Sequence, residues 1–276
     1  MRCINFDKEF ERYVSAWMKE HAREYRNYDE MEAAMPDVYE EFLDTPVNWL
    51  SGAKPGEYFA QFDSAKQLVN WMEDYFKQRI PVPDMLLNRI AELGLDAEDP
   101  LMNLLKKEKA TQEIRMAAIT LLREIDSVAP MEYYIGLQVL REDGEDELAD
   151  NALDSLSSMG ERAMQAMRNA LPMASPDGQE ALLTLLSDYP GDEQVFQTAL
   201  TLLRTRRDRV AVLADCLGKL GDERAVEPLK ALAASEETPY LDYIELRSAI
   251  EALGGDAPER NFDAEDPAYE AMRSMQ

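Results

Sequence analysis

The sequence of 276 residues is poor in the side chains that most enzymes use for catalysis. It has one histidine, His21, and two cysteines, Cys3 and Cys216. A Ser-His-Asp or Cys-His site needs a base that a third group orients, and no such group is visible around His21. Zinc sites need several Cys or His ligands. We therefore predict no catalytic residue, no metal site and no cofactor, and two cysteines fit a reducing cytosol better than a disulfide framework.

Positive charge is also scarce. Lys and Arg total 29 against 55 Asp and Glu, which gives a formal net charge of −26. Binding to a nucleic-acid backbone or to an anionic membrane surface needs clustered cations, so this balance argues against both partners. The longest stretch without a charged residue, 194–203, is far shorter than the roughly 20 apolar residues of a membrane-spanning helix. The first residues contain no apolar segment of the secretory type, so we expect a cytoplasmic protein.

One acidic run, Glu142–Asp150, invites comparison with a calcium loop. It lacks the alternating ligands, the central glycine and the terminal glutamate of an EF-hand. Carboxylates also favour the first turn of a helix, where they face the positive end of the helix dipole. We therefore interpret this run as a solvated loop that leads into a helix. No glycine-rich phosphate-binding loop is present.

From about residue 83 the chain reads as short amphipathic helices with turn residues at even intervals. Marking the turn after every second helix gives six marks, 30 to 34 residues apart: Gly94, Asp126, Gly160, Pro190, Gly221 and Gly254. A period of this length is typical of helix–turn–helix repeats, which bury their apolar stripes only by stacking on neighbours. The alternative is an irregular helical bundle with accidental spacing.

Three columns of residues are apolar in every repeat. One residue before each mark stand Leu93, Ile125, Met159, Tyr189, Leu220 and Leu253. Four before stand Ile90, Leu122, Leu156, Leu186, Leu217 and Ile250, and eight before stand Leu86, Ala118, Ala152, Leu182, Leu213 and Leu246. Positions three, four and seven apart share one helix face, so we predict that these columns are buried.

One segment resembles a known repeat family. Leu217-Gly-Lys-Leu-Gly-Asp222, followed by Ala225-Val-Glu-Pro-Leu229, is similar to the HEAT-like repeat of phycobilisome lyases. The resemblance is close over 207–254 and degenerate over 83–206, where Asp126-Ser127 departs from the glycine turn. It implies a right-handed α-solenoid of about five HEAT-like repeats. Some relatives of this repeat type are chromophore lyases, so a chromophore- or cofactor-handling enzyme is the alternative function that the resemblance raises.

Residues 1–80 differ in kind, because they hold 15 of the 23 aromatic residues and all three tryptophans. We predict helices over 6–26, 29–43 and 64–79, the last with Ser64 as its N-cap, and a Pro/Gly-rich loop between the second and third. We favour an N-terminal cap over the first repeat, since cores take up most aromatic side chains. The alternative is an aromatic partner-binding surface.

Two basic spots interrupt the acidic sequence. Residues 192–221 carry a net charge of +1, whereas 128–160 carry −7 and 222–276 carry −9. The candidate partner-binding residues in these spots are Arg204, Arg206, Arg207, Arg209, Lys106, Lys107 and Lys109. Loops often carry solvated charge without any role, which is the simpler interpretation. The functional interpretation is that these cations orient a protein partner.

The sequence therefore predicts an all-α protein: an N-terminal helical cap over 1–80, HEAT-like repeats over 81–254 and a frayed acidic tail over 255–276. The expected function is a non-catalytic scaffold or adaptor that binds a protein or peptide along the concave surface of the solenoid. An overall charge of −26 favours a partner with a basic surface. A nucleic-acid repair enzyme, the third possibility, is disfavoured by the same charge.

Overall fold

The computed structural model describes residues 3–21, 23–262 and 269–271. Within these residues the secondary structure is helical and contains no strand, as the all-α prediction requires. The chain forms two compact units, Met1–Pro130 and Met131–Gln276. The division at residue 130 falls inside the segment 81–254 that we predict to consist of repeats.

The first unit contains seven α-helices in its described residues. They are α1 (Phe6–His21), α2 (Tyr28–Ala33), α3 (Met35–Asp44), α4 (Ala65–Gln78), α5 (Asp84–Glu92), α6 (Glu98–Leu105) and α7 (Gln112–Glu124). Short 3-10 helices span Asn48–Leu50, Pro55–Glu57 and Gly94–Ala97. From α4 onward, helices that are near in sequence pack together. Helix α4 packs against α5 and α6, and α7 packs against the same two helices.

The described part of the second unit contains eight α-helices. They are α8 (Met131–Val139), α9 (Glu147–Met159), α10 (Glu161–Ala170), α11 (Pro176–Leu186), α12 (Glu193–Thr205), α13 (Val210–Leu220), α14 (Val226–Ala233) and α15 (Tyr240–Ala252). Short 3-10 helices span Leu171–Met173, Arg207–Arg209 and Glu223–Ala225. The odd-numbered helices α9, α11, α13 and α15 pack on one another in a row, and α12 and α14 pack against that row.

The N-terminal helices follow the sequence prediction with two differences. The helix predicted over 6–26 ends at His21, since residues 23–26 are not helical. Ser64 caps α4, and its Oγ accepts a hydrogen bond from the Gln67 amide at 3.3 Å, as predicted. The predicted helix over 29–43 is instead two helices, α2 and α3, with the break at Ala34. Proline has no amide hydrogen and fits only the first turn of a helix, so Pro36 begins a new helix.

The aromatic side chains of the first unit form its core. Phe6 lies 5.8 to 5.9 Å, between ring centroids, from Trp49, Tyr58 and Phe59. Phe59 in turn packs edge-on against Trp71 at 5.1 Å. Phe6, Phe59 and Trp71 are each less than 5% exposed. Tyr28 and Trp49, in contrast, are 70% and 40% exposed, so the aromatic residues of this unit divide between its core and its surface.

Two of the three predicted columns are completely buried. Every residue four before a mark and every residue eight before a mark has 0% exposure, twelve residues in all. The column one before each mark is buried in three cases, Met159, Leu220 and Leu253, and half-buried in the others. The burial prediction is therefore confirmed for two columns and holds in part for the third.

The marked turns also share a positive φ angle. Positive φ angles occur at Gly94, Asp126, Gly160, Gly191, Gly221 and Gly254. The fourth turn is thus centred on Gly191, one residue later than the mark at Pro190. Asp126 has a φ of 54° although its sequence departs from the glycine turn. Asp tolerates the left-handed region better than most residues, so the turn persists without glycine.

The start of the acidic tail folds back onto the second unit. The Gly255 amide donates to the Ile250 carbonyl at 2.9 Å, and the Tyr243 hydroxyl donates to the Pro258 carbonyl at 2.9 Å. The Arg260 guanidinium lies over the Phe262 ring at 4.4 Å. We predicted a frayed tail from residue 255. Residues 255–262 instead make these contacts, while 263–268 and 272–276 lie outside the described residues.

Candidate partner-binding site

The arginine-rich turn between α12 and α13 contains two kinds of arginine. Arg206 pairs with Asp177 at 3.0 Å and with Asp208 at 3.2 Å. The Arg209 Nε atom donates to both carboxylate oxygens of Glu180, at 2.8 and 2.9 Å. Asp177 and Glu180 lie on α11, which packs against α12 and α13. Arg206 and Arg209 therefore tie α11 to the turn.

The environments of these two arginines confirm a structural role. Hydrogen bonds that Arg206 donates to Asp208 and Asp177 raise its pKa, and hydrogen bonds that Arg209 donates to Glu180 raise the pKa of Arg209. The Glu180 side chain is only 7% exposed, so its charge needs a close partner. Neither arginine has its full charge available for a ligand.

Arg204 and Arg207 are different. Both are exposed, and neither has an ion pair or a side-chain hydrogen bond within the described residues. Arg204 ends the last turn of α12, and Arg207 begins the 3-10 helix that follows. Both line a cleft of about 490 Å³ between the α12–α13 turn and the α14–α15 segment. Of the four predicted arginines, the fold presents these two to a ligand.

The cleft has an apolar floor and an acidic far side. Apolar side chains from three helices and the loop before α15 line it: Leu203, Val210, Pro228, Ala231, Leu232 and Pro239. Glu237 and Asp242 supply the carboxylates of the lining. Burial raises the pKa of Asp242 above its usual range. The lining therefore offers both signs of charge around apolar surface.

The wall of the cleft is held by a residue that sequence reasoning missed. Arg260 donates to the main-chain carbonyls of Thr238 at 2.9 Å and Glu236 at 3.3 Å. The Thr238 hydroxyl donates to the Leu232 carbonyl at 2.7 Å. These bonds fix the loop between α14 and α15. The sequence signal for this brace is that Arg260, two residues before Phe262, is one of only two arginines in an acidic tail.

The predicted lysines lie in the first unit and also divide into two kinds. Lys107 donates to Glu73 Oε1 at 2.6 Å. Lys109 lines a separate cleft of about 610 Å³ together with Arg79, which the sequence analysis did not select. Lys106 is exposed and does not line that cleft. The fold therefore brings only part of the predicted lysine cluster to a concave surface.

Another cavity of about 610 Å³ surrounds Arg224, but its charges are already matched. Arg224 binds Glu193 at 2.7 Å and Asp222 at 2.6 Å, and its guanidinium lies 4.4 Å from the centre of the Phe196 ring. This arrangement joins α12 to the turn before α14. It offers a ligand no unpaired cation, unlike the cleft around Arg204 and Arg207.

The histidine, one cysteine and the acidic run each have a defined environment in the described part of the chain. His21 stacks on Trp17, and its Nδ1 atom lies 2.9 Å from the Trp17 carbonyl oxygen. Burial raises the pKa of the Cys216 thiol to about 11. Within the acidic run, Asp146 caps α9 and Asp150 pairs with Arg141. Among the residues described, no three His, Cys, Asp or Glu side chains are grouped as metal ligands.

Comparisons with known proteins add no assignment. No protein-family model and no curated protein matches the chain. A search of the described helices finds none that combines the length and the apolar character needed to cross a bilayer. The clefts are therefore the features of the molecule from which a function is inferred.

Proposed function

We propose that this protein is a non-catalytic adaptor of HEAT-like helix pairs that binds a protein or peptide partner, with the cleft around Arg204 and Arg207 as the contact site. The observation that carries the proposal is the presence of two unpaired arginines beside an apolar floor. Arg206 and Arg209, in the same turn, form ion pairs with carboxylates of the protein itself. The unpaired arginines contribute nothing comparable to the fold and are free for a ligand.

The chemistry of the cleft suits a peptide. Interfaces combine apolar anchors with a few charged contacts, and arginine is enriched among their strongest contributors. Its planar guanidinium binds a carboxylate through two parallel hydrogen bonds. An apolar side chain of the partner would cover Pro228, Ala231 and Leu232, while a carboxylate beside it would bind Arg204 or Arg207. A volume of about 490 Å³ lies within the range of ligand-binding clefts.

The rest of the partner is proposed to be basic. The chain carries 26 excess negative charges, and a surface of one sign attracts partners of the opposite sign over a distance. Arg204 and Arg207 would then fix the register of the bound partner, while the surrounding carboxylates speed its association. Asp242 and Glu237 would accept hydrogen bonds from its lysines or arginines.

Two features support the HEAT-like part of the proposal. Turns with positive φ recur at intervals of 30 to 34 residues, and the apolar columns before them are buried. Polar contacts also join equivalent places in successive repeats, such as Arg206 with Asp177 and Arg224 with Glu193. Repeats of this kind are widely used as binding surfaces rather than as enzymes.

Quantitative affinity purification from the native cell tests the proposal. We expect a co-purifying protein with wild-type bait that is lost with Arg204→Glu/Arg207→Glu. The matched control is Lys219→Glu/Arg247→Glu, which makes the same charge change in the same unit at exposed residues outside the cleft. A partner retained equally by both double variants, or lost equally from both, would contradict the assignment of the cleft.

A further inference from the structure

The cleft of the first unit has its own chemistry, independent of the cleft in the second unit. It lies where the end of α4 and the segment after it meet the loop that leads into α7. Phe76, Ile80, Val82 and Ile114 give it apolar surface, and its volume is about 610 Å³. Arg79 and Lys109 line it, and neither has an ion pair or a side-chain hydrogen bond in the described part of the chain.

One of the two carboxylates that line the cleft, Glu73, is already neutralised. Glu73 has a side chain that is 8% exposed, and each of its oxygens meets a lysine: Oε1 binds Lys107 Nζ at 2.6 Å and Oε2 binds Lys77 Nζ at 3.0 Å. Glu73 therefore holds two lysines in place at the cleft while it presents little negative charge to a ligand. Arg115 donates to the Lys107 carbonyl at 3.2 Å and fixes the loop.

The balance of charge at this cleft is positive in a protein that is otherwise acidic. Three cations, Lys77, Arg79 and Lys109, line the cleft together with two carboxylates, those of Glu73 and Glu113. Lys77 and Lys107 retain about half of their exposure, 54% and 46%, so their remaining donors face solvent. A ligand that matches this surface carries several carboxylates and an apolar side chain.

We propose that the first unit binds a short acidic peptide segment with one apolar anchor, through Arg79 and Lys109. The apolar floor distinguishes this ligand from inorganic phosphate, which has no apolar part. A nucleic acid extends its charge over many phosphates, and a chain with 26 excess negative charges repels such a long anion beyond the cleft. A peptide of a few residues fits the local positive surface and does not extend to the acidic surface beyond the cleft.

Fluorescence anisotropy with the full-length chain tests this inference. The probe is a fluorescein-labelled peptide, Glu-Glu-Leu-Glu-Glu, with an amidated C-terminus. We expect binding below about 1 mM, and about tenfold or greater loss with Arg79→Glu/Lys109→Glu, since two attractive exposed contacts become repulsive. The control Lys8→Glu/Lys66→Glu changes the charge of the same unit equally, outside the cleft, and is expected to retain binding.

Further arms separate the alternatives. A probe with Gln in place of Glu, or Ser in place of Leu, is expected to bind at least severalfold more weakly. Equal binding of either, or no binding up to about 1 mM, overturns the proposal. So does an oligothymidylate that binds with the same dependence on Arg79 and Lys109. Loss of the probe with Arg204→Glu/Arg207→Glu but not with Arg79→Glu/Lys109→Glu would move the site to the second unit and leave the proposed function intact. Circular dichroism melts of each variant establish that it is folded.

Discussion

Arg206 and Arg207 are neighbours with the same charge, yet the fold uses them differently. Arg206 bonds to Asp177 on α11, whereas Arg207 faces a cleft. The difference depends on where α11 places a carboxylate, 29 residues away in the sequence. Sequence reasoning located the arginine cluster but could not divide it, because charge alone does not report which side chains meet.

Buried apolar residues were easier to predict at this scale. Leu217 and its equivalents share one helix face, and helical periodicity alone places them in the core. All six members of the third column stand at a helix end or just past it, and only three of them are buried. Helical periodicity therefore predicts burial well inside helices and less well at their ends.

Leu217→Asp tests the predicted register of the repeats. Leu217 is fully buried in α13, so the variant places an unpaired carboxylate in the core. We expect a loss of about 3 to 5 kcal/mol in the free energy of unfolding. Lys219→Asp, on the exposed side of the same helix, is the control and is expected to change stability little. Urea unfolding, monitored by circular dichroism, gives the free energy of unfolding of both variants. Equal values for the two would contradict the register.

Glu73→Gln tests the buried ion pairs of the first unit. Burial alone would raise the pKa of Glu73, but hydrogen bonds from Lys107 and Lys77 outweigh it and hold the pKa below its usual 4.5. A carboxyl group whose folded-state pKa is depressed stabilises the fold above its unfolded pKa and loses that effect as the pH falls through the folded value. We expect Glu73→Gln to cost about 1 to 2 kcal/mol near pH 7, since the lysines are half-exposed.

The cost of Glu73→Gln should begin to shrink below about pH 4.5, where the carboxyl of the unfolded chain takes up a proton, and should vanish as the pH falls through the lower pKa of the folded protein. Glu113→Gln, at an exposed carboxylate of the same cleft, serves as the control and should show little effect at either pH. Denaturant unfolding at several pH values gives both differences. A cost that is independent of pH would mean that the ion pairs are not its cause.

At the scale of elements, local chemistry explains where helices begin and turn. Ser64 and Pro36 signal helix starts that the structure contains, although the break at Ala34 was not predicted. The turn at Asp126 has a positive φ like its glycine equivalents, but the sequence has no glycine there that would predict it. Its conformation follows from the packing of the helices on either side, which a local sequence pattern does not contain.

Two helix glycines in the second unit make a matched pair for mutation. At Gly136, in α8, an added Cβ atom would meet nothing within 4 Å. At Gly178, in α11, it would lie 2.0 Å from the Gln138 carbonyl oxygen. Gly136→Ala is expected to stabilise by about 0.5 to 1 kcal/mol, because alanine loses less entropy in a helix. Gly178→Ala is expected to destabilise by about 3 kcal/mol through the clash.

Thermal and denaturant unfolding of the two glycine variants is compared. The comparison shows whether close packing or intrinsic helix propensity sets the sign of the stability change. Propensity alone would make both substitutions stabilising. Opposite signs are expected if α11 approaches α8 as closely as the Gln138 contact requires. Two changes of the same sign would contradict that packing.

At the scale of the whole molecule, net charge makes a prediction about rates. A partner with a basic surface should associate more slowly as salt rises from about 0.05 to 0.5 M, since the screening length falls about threefold. Arg204→Glu/Arg207→Glu should act mainly on the dissociation rate, because the arginines make short-range contacts in the complex. Stopped-flow association of the purified partner gives both rates. An acidic partner, or an association rate that does not change with salt, would refute the electrostatic part of the account.

The most direct test of the central claim places a photo-crosslinking amino acid in the cleft of the second unit. Ala231 is exposed and lines that cleft, whereas Ser248 is an exposed residue of α15 outside its lining. The account predicts that p-benzoylphenylalanine at position 231 forms a covalent adduct with one protein in the native cell. It also predicts that Arg204→Glu/Arg207→Glu abolishes the adduct and that position 248 does not form it. An adduct that persists without the two arginines, or forms equally from position 248, would contradict the claim that this cleft binds the partner.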